Sequence, residues 1–159
     1  MLQTYNRRSI LGYCTAGAAA LLAFVSRGQA DTTKFTAALS PSSEVPPNQT
    51  SGSGSVTASY DSGTKMFTLN GNYSGLSGPV TAAHIHGPAE VGKNAGVLFW
   101  LSQKPAAQGA PPTPFPSPFQ NTVTLTDDQA SDLMSGLYYV NIHTQANPGG
   151  ELRGQLVKA

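Results

Sequence analysis

Three histidines are all the imidazole this 159-residue chain carries, and they fall in two short segments. His84 and His86 lie in Ala83-His84-Ile85-His86-Gly87-Pro88; His143 lies in Tyr139-Val140-Asn141-Ile142-His143-Thr144. Residues two apart on a β-strand point to one face. His84 and His86 therefore stand side by side, with Ile85 turned into a core, and Gly87-Pro88 fixes the backbone where that strand should end. In the later segment Val140 and Ile142 form the apolar face, and Tyr139, Asn141 and His143 the opposite one. If the two polar faces adjoin, three imidazoles converge as a metal site. The bland alternative is that each ring merely packs, because a His-x-His pair alone discriminates weakly.

Three neutral imidazoles suit Cu(II) or Zn(II), with copper the expected ion and zinc the second choice. The one cysteine, Cys14, precedes the folded region. The absence of thiolate disfavours a closed structural zinc site and excludes a blue-copper centre. Three nitrogen ligands leave a position open to water, a small anion or a substrate. Tyr139, Asn141, Glu151 and Arg153 are candidates to orient the imidazoles from behind, and the charge of Arg153 can draw small anions toward the metal. No Ser–His–acid arrangement and no phosphate-binding glycine motif stands out. Asn48-Gln49-Thr50 and Asn72-Tyr73-Ser74 match glycosylation acceptors, a match expected by chance.

The elements that must position these residues read as all-β. Phe35–Leu39 is a first strand, followed by the proline-rich loop at Pro41 and Pro46-Pro47. Ser55–Tyr60 and Phe67–Tyr73 alternate with a period of two around an Asp61-Ser62-Gly63-Thr64 turn. Asn70-Gly71 is a turn signal, but the alternation runs through it, so strand is expected there, with room for a bulge. Val80–His86 is the ligand strand. Val97–Leu101 is apolar on both faces, as a central or covered strand should be. Gln103–Phe119 holds six prolines and reads as an extended surface loop; Asn121–Leu125 is a further strand. Thr126-Asp127-Asp128-Gln129 fits a capping box for a short helix over 127–135, closed by Gly136, with Ala130, Leu133 and Met134 as its buried stripe.

The last hairpin turns at Asn147-Pro148-Gly149-Gly150. Cross-strand partners share a face, so an odd-length loop is required to pair the apolar residues. The expected pairs are Val140 with Leu156 and Ile142 with Gly154, which sets Arg153 opposite His143. Together these runs make a Greek-key β-sandwich of seven to nine strands with one short helix.

The N-terminus is set apart from the fold. Arg7-Arg8 directly precedes an apolar run, Ile10–Val25, that is short for a membrane span and suits an export signal of twin-arginine type. Gly28-Gln29-Ala30 offers small residues for cleavage before Asp31. The expected organisation is a cleavable signal over 1–30 and one domain over 31–159, with a periplasmic or secreted product and no membrane segment in the mature form. The general secretory route and an uncleaved anchor stay open. Twin-arginine export is associated with proteins that fold, often around a cofactor, before they cross. Loss of Arg7, Arg8 and Arg27 leaves six of the nine basic residues against eight acidic ones, a net charge of −2. The mature chain has no cysteine and so no disulfide. Only 11% of residues are charged, which argues against nucleic acid or an anionic membrane as partner.

Several stretches carry a family resemblance. Ala83–Ala89, Asn94-Ala95-Gly96-Val97, Gly136–Thr144 and Asn147–Leu156, with Phe35–Pro47 and its Ser43-Glu44-Val45-Pro46-Pro47, resemble the CHRD domain. The likeness covers nearly all of the chain after residue 33 and implies a single extracytoplasmic β-sandwich; it implies much less about activity. At the level of pattern alone, the His-x-His strand is also similar to the copper-ligand strand of copper–zinc superoxide dismutases. Three functional classes follow. The first is an exported metal-binding sandwich that binds or delivers copper or uses it for redox chemistry. The second is an oxidoreductase proper, and the third a structural or adhesive module. Beyond the metal, a small anion or another exported protein is the expected partner.

Overall fold

The period-two alternation that begins at Thr32 folds as antiparallel strands, in a computed structural model that describes residues 30–104 and 114–159. They are β1 (Thr32–Leu39), β2 (Ser53–Asp61), β3 (Met66–Ser74), β4 (Val80–His86), β5 (Val97–Trp100), β6 (Phe119–Thr124), β7 (Tyr139–Thr144), β8 (Leu152–Gln155) and β9 (Val157–Lys158), with one helix, α1 (Asp127–Met134). The strands form two sheets, of order β6-β3-β2-β1-β9 and β5-β4-β7-β8. β6 returns beside β3, and β7 beside β4, as Greek-key connections require. Every second residue faces inward: Phe35, Leu39, Val56, Phe67 and Leu69 from the first sheet meet Ile85, Val140, Ile142 and Leu152 from the second, all fully buried. The expected all-β sandwich with one short helix is the observed architecture.

The β2–β3 hairpin turns where expected, on an Asp61 carboxylate that accepts from Thr64 N at 2.7 Å and Thr64 Oγ1 at 2.8 Å. Its pairing runs unbroken from Ser53↔Ser74 to Asp61↔Met66, so Asn70-Gly71 is regular strand without a bulge. Gly71 is there for space: a Cβ would stand 2.3 Å from Phe119 Cζ. Helix α1 opens on the expected capping box, with Gln129 N donating to Thr126 Oγ1 at 3.2 Å and Thr126 N to Gln129 Oε1 at 2.9 Å. Gly136 follows the helix with φ +73°.

Three expectations need correction. β5 is an edge strand, not a central one, and Val97 at its start is 45% exposed. Its apolar character serves the core through Leu101, just past the strand end, which is buried. Met134 is exposed. The helix buries along a line centred on Leu133, and each residue turns about 100° around the axis, which carries Met134 off that line. Finally, β7 and β8 pair Tyr139↔Gln155, Val140↔Gly154, Asn141↔Arg153 and Ile142↔Leu152. The odd parity is as expected, but the register is two residues away. The connecting loop is longer because Glu151 belongs to it: Glu151 N closes onto Ile142 O at 2.8 Å, and its carboxylate is held by Ser77, Thr144 and Asn147. Arg153 therefore faces Asn141, not His143.

Residues 105–113 of the proline-rich stretch and residues 1–29 of the expected export signal lie outside the described residues. Among the described residues no helix is long and apolar enough to cross a membrane.

Candidate metal centre

β4 and β7 are neighbours in one sheet, paired His86↔Tyr139, His84↔Asn141 and Ala82↔His143. Alternation sends Ala83, Ile85, Val140 and Ile142 into the core and the three histidines to the opposite face. His143 lies diagonally across from His84. The ring centroids are 5.0 Å apart for His84–His143, 5.3 Å for His84–His86 and 6.2 Å for His86–His143. One nitrogen from each ring lies within 4.8 Å of the others. The three sequence-predicted ligand residues come together.

The hydrogen bonds at the far side of two rings settle which nitrogens are free. His86 Nδ1 lies 3.0 Å from Ala95 O, and His143 Nδ1 3.0 Å from Pro148 O. A carbonyl only accepts, so both Nδ1 atoms donate, and both Nε2 atoms keep a bare lone pair. His86 Nε2 is buried and has no partner. His143 Nε2 lies 3.2 Å from His84 Nδ1, and His84 Nε2 is again buried and unpartnered. A buried unpartnered nitrogen costs on the order of 1–3 kcal/mol. Here such atoms occur on two rings of one cluster, His84 and His86; a cation takes one nitrogen from each ring and would satisfy His86 Nε2. The 3.2 Å spacing is also one that two nitrogens adopt on a single ion with bonds of ~2.0–2.1 Å.

The polar face that carries the site is covered. His84 is 6% and His86 8% exposed, while His143 is half-buried. Trp100 stands edge-on over His84 at 4.2 Å, and Tyr139 lies flat against His86 at 4.9 Å. Burial holds the His84 imidazole down at about 4, helped by His143 and His86 beside it. Burial also lowers His86 and His143, against the upward pull of their carbonyl partners. All three rings are thus held in the neutral form that a metal requires.

The four residues expected behind the ligands divide. Tyr139 touches His86. Arg153 lies behind Tyr139, its guanidinium 3.5 Å from the ring centroid. It donates to Asn94 Oδ1 at 2.9 Å and Lys93 O at 2.6 Å. Tyr139 Oη accepts from Ala95 N at 3.1 Å, so Tyr139 and Arg153 together pin the loop whose Ala95 carbonyl steadies His86. Asn141 donates instead to Leu152 O at 3.1 Å and to Glu44 Oε1. Glu151 accepts from Ser77 N and Ser77 Oγ at 2.7 Å each, from Asn147 Nδ2 at 3.3 Å, and from Thr144 Oγ1. It ties down the loop bearing Pro148 and meets no imidazole. Burial raises the Glu151 carboxyl, but donation from Thr144, Ser77 and Asn147 outweighs it and the net shift is downward.

Sequence reasoning missed Ala95 and Pro148, which act through backbone carbonyls and leave no side-chain signal. It also missed Trp100 as a wall and Glu44 as a buried carboxylate. Only the place of Glu44 in the Ser43–Pro47 stretch hinted at it.

A two-sheet sandwich with a three-histidine cluster on the outer side of one sheet defines the class of protein. The CHRD domain model matches residues 35–156, and the chain belongs to the CHRD domain family. Searches of curated proteins and of solved structures returned no match.

Proposed function

We propose that this chain is an exported CHRD-domain protein that binds one metal ion, copper in preference to zinc, through His84, His86 and His143. The observation that supports this reading is the convergence of the three rings, one nitrogen from each within 4.8 Å of the others, with His86 Nε2 buried and unpartnered. His86 and His143 would offer Nε2, and His84 the nitrogen that faces them. Bound copper would supply Lewis acidity or one-electron chemistry at that point. The chain's own contribution is to hold the rings neutral, orient two of them through Ala95 O and Pro148 O, and shield His84 beneath Trp100. Binding or delivery of copper, or a redox role, is the expected use, in a periplasmic or secreted setting after removal of residues 1–30.

The test is the metal content of protein exported by its native host, read with its electron paramagnetic resonance spectrum. One copper per chain with nitrogen hyperfine structure is the expected result. Added Cu(II) should also quench Trp100, the only tryptophan. Protein that leaves the host without metal and takes up less than one equivalent of Cu(II) or Zn(II) would instead favour a structural or adhesive module. Superoxide turnover by the loaded protein separates an oxidoreductase from a binder.

A further inference from the structure

A cleft of about 510 Å³ opens between the Ser42–Pro47 turn and the loop at Val91 and Gly92, and it contains none of the three histidines. Glu44, Arg153 and Gln155 line it, with Val45, Pro47 and Val91 as apolar walls. Two opposite charges sit here almost fully buried, Glu44 at 7% and Arg153 at 2% exposed. They do not pair with each other: Lys65–Asp127 is the only ion pair among the described residues. Arg153 spends two of its five N–H bonds on Asn94 Oδ1 and Lys93 O. Glu44 uses Oε1 to accept from Asn141, the Val45 backbone N–H also acts on its carboxyl, and no side chain among the described residues bonds Oε2.

Buried charges are costly unless something compensates them. A guanidinium offers a planar fork that matches a carboxylate, and a carboxylate oxygen takes a donor. A simple inorganic anion would be repelled by Glu44, and a simple cation by Arg153. An occupant that carries both an anionic and a donor group fits both ends. Gln155 adds an acceptor at the wall. Its Nε2 serves Ala89 O at 3.0 Å and Gly136 O at 2.7 Å, which leaves Oε1 buried and unpartnered.

We propose that this cleft binds a small organic acid with an amino or hydroxyl group next to its carboxylate, the carboxylate on Arg153 and the donor on Glu44. Burial holds the Glu44 carboxyl up at about 7 against the pull of Arg153 and Asn141, so a donor brought beside it draws it into the charged form. The site stands independently of the metal reading.

The experiment uses metal-free full-length mature protein and follows backbone amides by NMR during titration with L-alanine, L-lactate, acetate and ethanolamine. Saturable shifts with alanine or lactate are expected, centred on Glu44, Val91 and Gly92. Acetate should bind at least about tenfold more weakly, a difference of about 1.4 kcal/mol, and ethanolamine not at all. Whichever of alanine and lactate binds more tightly names the donor as amine or hydroxyl. Arg153→Lys should reduce affinity by a similar factor. Because Arg153 is buried, Val91→Trp on the exposed loop is the second variant: it should fill the cleft and abolish binding with the thermal unfolding curve unchanged. The proposal is overturned if neither alanine nor lactate saturates below about 50 mM, an affinity under about 2 kcal/mol. Equal binding of acetate or ethanolamine, or unaltered binding in Val91→Trp, would overturn it too.

Discussion

His86 has one ring nitrogen committed to a carbonyl and the other bare, and His143 repeats the arrangement. Removal of one of three ligands should destroy the chelate, so His86→Ala or His143→Ala should lower copper affinity by far more than a change behind the ligands. Arg153→Ala acts chiefly through the loop that carries Ala95 O, with a lesser effect of the lost charge on His86. Its expected cost is about 10–100-fold in copper affinity, as for other outer partners of a ligand histidine, with azide binding to the copper unchanged because Tyr139 stands between Arg153 and His86. Competition against a chromophoric chelator reads the first, and the azide charge-transfer band the second. A shift in azide affinity would mean that Arg153 reaches the open coordination position after all. Glu44 gives a pH-dependent prediction of opposite kind. Its folded-state value of about 7 lies above the ordinary 4.5. The stability it contributes is therefore complete below pH 4.5 and lost as pH rises through 7, by up to about 3 kcal/mol. Glu44→Gln should gain in Tm relative to the parent as pH is raised from 4.5 to 7.5; a constant difference across that range would refute the shift. The three imidazoles were legible in the sequence because a period of two and a shared apolar face are local signals. Glu44 was not, because its bond to Asn141 spans 97 residues of chain.

The strands and the helix were also largely legible, since each rests on short-range alternation or a cap. What failed was neighbourhood. Nothing in Val97–Trp100 says that β5 lies at a sheet edge. The parity of the β7–β8 hairpin followed from burial, but its register depended on Glu151 being drawn into the turn by Ser77 from another loop. That two-residue difference moved Arg153 from His143 to Asn141 and changed its expected role. The capping box offers a control at this scale. Thr126→Ala should cost about 1 kcal/mol of stability, seen as a lower Tm, and leave copper affinity unaltered because α1 touches neither β4 nor β7 at the histidines. A fall in affinity with the fall in Tm would show that the helix supports the site.

For the molecule as a whole, the export reading rests on residues 1–30 and is best tested in the host. Replacement of Arg7 and Arg8 by lysine should strand full-length precursor inside the cell. The exported form of the parent should begin at Asp31 by intact-mass measurement. Continued export of the double-lysine variant would point to the general secretory route.

The two long edges of the sandwich are not equivalent. On one, a backbone bridge between Ser40 and Arg153, with N–O distances of 3.0 and 3.2 Å, sews β1 to β8 across the two sheets. On the other, β5 and β6 are joined by one hydrogen bond among the described residues, Asn121 Nδ2 to Trp100 O at 3.4 Å. The domain is thus closed like a book, with a bound spine and a free fore-edge. Thermal opening short of full unfolding should begin at the fore-edge, so amides of Leu98 and Phe99 should exchange with solvent well before those of β1 and β8. Trp100 hangs from that same leaf. His84 and Trp100 are paired across β4 and β5 of one sheet, so the shield over His84 should lift when β5 frays from β4, and the ease of that local fraying should set how fast anything reaches the buried rings.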